Sequence, residues 1–505
     1  MLVLEGEVAT MRAAAPASAP GAVYVGDDGL VAAVTPLDGE PAGFAGAQRV
    51  ATGGVIYPGL IDLHNHLLYN TLPLWTEPGR ATPWTSHTQW PRTAATYQAR
   101  VSDPAELLGK AAGRALLRYA ETRAIVGGTT AVQGNPKGAV PADGELVRNV
   151  DSERFGTHQD FVRVRTLVAS SADDLDPYVT AVGQGRAFVY HLCEGTDPAL
   201  LGEYALVEQA GLVHRLLIAI HGTALGPAQL RALGAAGATL VWSPFSNLWL
   251  YGRTAEIGQA KAAGLRICLG SDWAPSGTKN VLWELKVADA WNRAQPQPVF
   301  SDEELCRLVT SNPGDALAQA WPHPLGRLQP GAAADLVVVA RRGGGAHAGL
   351  VGATERDIRL VLVGGAARYG TPALMRRAGA VQATPIRVAG RDRLIDYGDP
   401  AVSWRSVRDA LEAVRRDPQA AADAVRDALA VWGGTDLSLP DAPFMLAPDM
   451  PRGGGDLTAA GPAAPPHAVP VPPLQPLTPT GAWFDAVDAN PFHQGLLSTL
   501  RRFAP

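Results

Sequence analysis

Between about residues 55 and 324, short apolar runs alternate with stretches whose apolar positions recur every three or four residues. The runs at 55–63, 127–133, 146–150, 160–169, 186–191, 216–221, 238–243 and 265–270 predict eight strands. Helical periodicity lies between several of them, at 105–120, 200–210 and 227–236. Strand, helix, strand repeated in this way argues for parallel β/α units, and eight strands fit a closed (β/α)8 barrel of the TIM type.

The flanks read differently. Short β-segments at 1–8, 22–25 and 29–34, the last after the turn signal Asp27-Asp28-Gly29, make a sheet too small to stand alone. Matching segments recur far away, at 334–340 and 358–365. The simplest α/β architecture is a composite β-sandwich built from both chain flanks, 1–54 and 325–390, with the barrel at 55–324 inserted between them. A helical C-terminal extension, 391–505, follows. Its pattern predicts amphipathic helices at 404–416 and 419–432 and a Pro- and Gly-rich connector at about 437–479. A last helix is predicted at about 490–503, with Phe492, Leu496, Leu497, Leu500 and Phe503 at helical spacing, and it is expected to dock on the body.

Charge and composition narrow the classes. A net charge of −5 over 505 residues, with no dense Lys or Arg run, argues against a nucleic-acid or anionic-surface partner. No run approaches the roughly 18 apolar residues of a membrane helix, and the first residues carry no basic, signal-like segment. Cys193, Cys268 and Cys306 are odd in number and far apart, which disfavours a disulfide framework. The expectation is a soluble, cytoplasmic protein with a small-molecule substrate and no membrane partner. Barrel helices leave a homo-oligomer open.

Candidate chemistry begins where the first predicted strand stops, at His64-Asn65-His66. In an extended strand, residues i and i+2 share a side, so both imidazoles point one way. Such a pair suits a divalent cation of the zinc or iron type; alone, it reads equally well as two surface histidines. In parallel barrels, however, chemistry sits at the carboxyl ends of strands. His191 and Glu194 end the fifth predicted strand, His221 the sixth, and Ser271-Asp272 the eighth. Structural histidines have no reason to repeat at this topological position, which favours a metal site.

His64-Asn65-His66, His191-x-x-Glu194, His221 and Ser271-Asp272, in that order, resemble the amidohydrolase superfamily of metal-dependent hydrolases. Pro58-Gly59-Leu60-Ile61-Asp62-Leu63-His64-Asn65-His66 is similar to its first-strand motif and Gly127-Gly128-Thr129-Thr130 to its second-strand signature. Residues 326–336 resemble its return into the β-sandwich. The resemblance covers about residues 1 to 380, and its nearest subgroup holds deaminases, triazine chlorohydrolases and imidazolonepropionase. It implies a metal ligand and a proton shuttle three residues apart, here His191 and Glu194. The family's two-metal version needs a bridging residue on the fourth strand. Residues 161–168 offer no Lys, Glu or Cys, and Lys137, after the second strand, is expected to be solvated. One divalent ion, zinc with iron as the alternative, is therefore expected on His64, His66, His191 and Asp272.

The roles follow from that resemblance and from chemistry. The four ligands leave a position for water, whose pKa falls to about 7 on such an ion. Asp272 and His221 orient the water or take its proton. Glu194 passes a proton to the leaving nitrogen, a step usually worth about 10²- to 10⁴-fold. The bland alternatives are hydrogen-bonding support of a ligand for His221 and an exposed loop carboxylate for Glu194. Ser246 and Asn247 lie in a stretch resembling the subgroup's Ser-Asn loop, although Ser243 stands where many relatives carry Asn. With Tyr69, Trp75 and Trp90 from the loop after the first strand, they are the expected substrate-binding residues for a flat, polar, nitrogen-containing ligand. Packing of the loop onto the barrel is an equal reading for each tryptophan, and Cys193 is expected to fill space. The expected activity is hydrolysis of a non-peptide C–N bond in a cyclic amide or amidine, by deamination or ring opening. Hydrolysis of a C–Cl, C–S or ester bond on the same scaffold, or a non-catalytic binding protein, are the rivals.

Overall fold

Pro58 and Gly59 divide the first long apolar run between two sheets. The computed structural model describes residues 1–134, 146–151, 169–435, 442–447 and 466–504, with the backbone of 137–138 and 162–165. In it Gln48–Pro58 and Leu60–Asp62 are separate strands, so the single strand expected over 55–63 is two. The reason is local. The Gly59 amide donates to the Asp335 carbonyl at 2.8 Å, while the next amide, Leu60, donates to Gly128 at 3.1 Å. Successive residues thus feed different sheets, and the crossing is tight: a Cβ on Gly59 would lie 2.0 Å from Thr130 Oγ1.

Gln48–Pro58 runs parallel to Leu2–Val8 and antiparallel to Leu336–Ala340, near the middle of a nine-stranded sheet. Its amino-terminal side continues through Ala19–Val25 to Val31–Thr35, and its other side through Ile358–Val363 and Ala366–Gly370 to Arg391–Ile395 and Thr384–Val388. Both flanks therefore join, as their patterns predict. Where a two-sheet sandwich is expected, the pairing is that of one continuous sheet. Alternation explains its burial on both faces: Ile56, Leu336, Val338, Leu360 and Leu362 pack in one cluster, whereas Tyr57, Val337, Val339, Val361 and Val363 join the main core.

Strands occur at all eight positions predicted between 55 and 270. Leu60–Asp62, Thr129–Val132 and Arg148–Asn149 form one parallel sheet. Val162–Arg165, Ala187–Leu192, Leu217–His221, Thr239–Trp242 and Arg266–Leu269 form another. The sheets meet at a seam between the first and eighth strands. There Leu63 donates to the Leu269 carbonyl at 3.2 Å, Asp272 donates to that of His64 at 3.0 Å, and Asn65 bridges Asp272 in parallel. Inward residues Ile61, Leu63, Ala131, Val189, Ile218, Ile220, Val241 and Cys268 share one apolar cluster. The Lys137 side chain and the side chains of the fourth strand lie outside the described residues.

Helices Trp404–Arg416 and Pro418–Trp432 form where expected, and Val407, Leu411 and Val414 of the first are buried. The last element differs. An α-helix spans Gly481–Ala489 and a 3-10 turn Leu497–Phe503, in place of one helix over 490–503. Pro491 cannot donate to a continuing helix, and Asn490 accepts from the Phe492 amide at 2.8 Å while its own amide donates to Trp249 at 3.2 Å. The segment still docks, with Trp483, Phe484 and Phe503 against Trp283. Among the described residues no helix is long and apolar enough to cross a membrane.

The crossing at Gly59 gives a stability test. Gly59→Ala should cost about 1–3 kcal/mol by overpacking against Thr130, read as a lower midpoint of thermal unfolding, and adding Thr130→Ala should recover part of the loss. An unchanged midpoint would contradict this account of the crossing.

Candidate metal centre

Four imidazoles and two carboxylates converge at the carboxyl ends of the strands. Asp272 Oδ1 lies 3.2 Å from His64 Nε2 and 3.6 Å from His66 Nε2, and Asp272 Oδ2 lies 3.9 Å from His221 Nε2. The His191 ring centre is 4.7 Å from that of His64, 5.3 Å from His66 and 5.4 Å from His221. Glu194 Oε2 stands 3.7 Å from His221 Nε2. None of the six is more than 4% exposed. Ligand atoms of His64, His66 and Asp272 fall within 4.8 Å of one another, as do those of His64, His191 and His221.

This donor set fits a cation. Both ring nitrogens of His191, and Nε2 of His64, are buried without a hydrogen-bond partner, which protein interiors rarely tolerate. Burial, reinforced by the neighbouring imidazoles, holds His191 well below the usual histidine range, so it is neutral and has a lone pair to give. Burial works against a charged Asp272, but His64, His221 and His66 outweigh it and keep the carboxyl below its usual range. A neutral His191 beside an ionised Asp272 is the combination that zinc-type ligation requires of an imidazole and a carboxylate.

Backbone strain aims these groups. Ile218 and Ile220 point inward, so strict alternation would send His221 outward; its left-handed backbone, φ 68°, turns it in. Cys193, φ 54°, does the same for Glu194 and sends its own thiol to the Leu200 carbonyl at 3.1 Å, filling space as expected. Asp272 has φ 58°. Non-glycine residues in this region cost of order 1–3 kcal/mol each and cluster at functional sites.

Several supporting residues escape the sequence reading. Gln133, at the end of the second strand, places Oε1 3.3 Å from His64 Nδ1 and donates its amide to Asp151 at 3.1 and 3.3 Å. That contact assigns the His64 proton to Nδ1 and leaves Nε2 facing the centre. Asp62 accepts from the Ser271 amide at 3.0 Å, from the Ser271 hydroxyl and from Asn65 at 3.3 Å, tying the first strand to the eighth. Tyr251 donates to Glu194 Oε1 at 2.7 Å. The strand-end rule that singles out the histidines reaches Gln133 as well; Tyr251, seven residues into a helix, gives no such signal.

The expected substrate-binding residues are occupied within the protein. The Asn247 amide faces His221 Nδ1 at 3.1 Å, and Thr254 donates to Asn247 Oδ1 at 3.3 Å. In that assignment the His221 proton sits on Nε2, toward Glu194 and Asp272. Ser246 bonds Ser276 at 3.0 Å. Trp75 donates its indole to Thr96 at 3.1 Å and Trp90 to Tyr251 at 3.3 Å. Tyr69 packs edge-on against Trp273, and its ring centre is 6.4 Å from that of His66. All five are buried. The tryptophans thus pack the loop onto the strand ends, while Asn247 touches His221 directly and Trp90 reaches Glu194 through Tyr251.

Comparison with known proteins is consistent with this geometry. The profile of the amidohydrolase family matches residues 165–369. The 5-methylthioadenosine/S-adenosylhomocysteine deaminase of Pyrococcus furiosus is 33% identical over 137 residues, 26% of this chain and 32% of that protein. The deaminase of the same name from Desulforudis audaxviator is 24% identical over 365 residues, 63% and 81% of the two chains. The crystal structure of an adenosine deaminase from Xanthomonas campestris with bound zinc superposes with a TM-score of 0.55 at 20% identity, covering 82% of this chain and 99% of that one. Residues 165–369 thus carry the likeness to the amidohydrolase family, and the relatives the chain resembles are deaminases. The chain spans less than half the length of the curated relatives it matches first. The likeness to the zinc-bound structure, at its low identity, is one of fold.

His66, with Nε2 3.6 Å from Asp272 Oδ1, has a ligand's place. His66→Ala should lose tightly bound metal while keeping the parent's circular dichroism. Elemental analysis of dialysed protein checks this, and a parent-like metal content in the variant would remove His66 from the ligand set.

Proposed function

We propose that this protein is a metal-dependent hydrolase of a non-peptide C–N bond in a small molecule, and that the reaction is deamination of a ring amidine. The observation that carries the reading is the convergence of His64, His66, His191 and Asp272 beside a buried Glu194. The reading places one divalent ion on those four side chains. Zinc is preferred because the Xanthomonas campestris structure carries it. Such an ion supplies an activated water at neutral pH when bound. The same reading closes the two parallel sheets into a (β/α)8 barrel. It treats 1–54 with 325–390 as one supporting unit and 391–505 as an extension.

The protein's own groups divide the proton work. Asp272 holds the ion while its Oδ2, 3.9 Å from His221 Nε2, orients the attacking water and takes its proton. His221 is fixed by Asn247 and points its Nε2 proton between Asp272 and Glu194. Glu194 carries a proton to the leaving nitrogen, so that water adds to the amidine carbon and ammonia departs. The near-complete burial of all these groups excludes bulk water and strengthens each interaction. Deamination is preferred to ring opening because the deaminases of Pyrococcus furiosus and Desulforudis audaxviator are named for it.

Metal-loaded protein should release ammonia from at least one of adenosine, 5′-deoxyadenosine, S-adenosylhomocysteine or guanine, followed by a coupled ammonia assay. Glu194→Gln should retain the metal and lose about 10²- to 10⁴-fold in kcat. Full turnover by that variant would remove Glu194 from the proton path, and ring opening without ammonia would move the reaction to cyclic amides.

A further inference from the structure

Glu194 is held at both ends by segments from elsewhere in the chain. Its carbonyl accepts from the His87 amide at 3.0 Å, and the adjacent Gly195 bridges Ser86, so the loop after the first strand fixes its backbone. Its carboxylate is fixed by Tyr251, the last residue of the helix Pro244–Tyr251 that follows the seventh strand. The phenol donates to Glu194 Oε1 at 2.7 Å and accepts from the Trp90 indole at 3.3 Å. An accepted bond from Trp90 leaves the phenol one proton and one direction in which to give it. Tyr251 is fully buried, and burial first, with the Glu194 charge second, keeps the phenol protonated.

A carboxylate that carries a proton must present one oxygen to the reacting atoms and keep the other from competing. With Oε1 occupied by Tyr251, Oε2 is the oxygen that faces His221 Nε2 at 3.7 Å. We propose that Tyr251 is the positioning residue for Glu194: its hydroxyl, oriented by Trp90, saturates Oε1 and reserves Oε2 for proton transfer. This rests on the reading of Glu194 as proton carrier. It also gives Trp90 a function beyond packing, because the covering loop then sets the hydrogen bond that aims Glu194.

Tyr251→Phe keeps the ring and removes only the hydroxyl. With adenosine as probe, or whichever nucleoside or base releases ammonia, kcat should fall about tenfold or more. KM should stay within about twofold, metal content should be unchanged, and the substitution should cost nothing further when added to Glu194→Gln. A readout without turnover accompanies it. In 15N-tryptophan-labelled protein the Trp90 indole resonance, assigned with Trp90→Phe, should shift in both Tyr251→Phe and Glu194→Ala. If Glu194→Gln is impaired but Tyr251→Phe matches the parent, or if the two losses multiply, the positioning role alone is refuted. If Glu194→Gln is itself fully active, the proton-carrier reading fails and the proposal falls with it. An unmoved Trp90 resonance in Glu194→Ala would refute the hydrogen-bonded chain directly.

Discussion

The buried, unpartnered imidazole of His191 is the constraint on which the site depends. Both of its ring nitrogens are buried without a hydrogen-bond partner, in a pocket where His64, His66, His221, Asp272 and Glu194 crowd within a few ångströms. Burying polar groups without partners costs up to several kcal/mol each, and left-handed backbone at Cys193, His221 and Asp272 adds to that. The proposed divalent cation would take the one lone pair of a neutral His191 and offset that part of the cost. The proposed ligands come from the ends of the first, fifth and eighth strands, beside the seam that Asp62, Asn65 and Ser271 hold together.

Around this centre the supporting bonds form a consistent set. Gln133 and Asp151 fix one imidazole, Asn247 and Thr254 another, and Tyr251 the carboxylate. Gln133 and Asp151 follow the second and third strands, while Asn247, Tyr251 and Thr254 all follow the seventh, so distant stretches of chain meet at the strand ends. The loop after the first strand contributes differently. Its Trp75 and Trp90 pack with Tyr97 and Trp273 into an aromatic layer, which is linked to Glu194 by the two hydrogen bonds of Tyr251.

Much of this was legible in the sequence because it rests on periodicity. Strands formed at every position where a short apolar run ended on a reactive side chain, and both flanks joined one sheet because their strands could not be stable separately. What was not legible has local physical causes. The division at Gly59 depends on Thr130, a contact 71 residues away in the chain that no pattern encodes. The inward turn of His221 and Glu194 breaks the alternation from which facing is read, because Cys193 and His221 adopt φ above 50°. Tyr251 lies on a helix whose every residue is buried, where an ordinary core aromatic and a carboxylate's partner look alike. The final helix was overextended because apolar spacing alone does not register the stop at Asn490 and Pro491.

The measurement that bears most directly on the account is X-ray absorption at the metal edge, on parent protein purified without added metal and after loading with zinc. The account predicts one tightly held ion per chain, with a first coordination sphere of three imidazole nitrogens and carboxylate or water oxygen. A protein that holds no ion after loading, or whose spectrum lacks imidazole scattering, would contradict it.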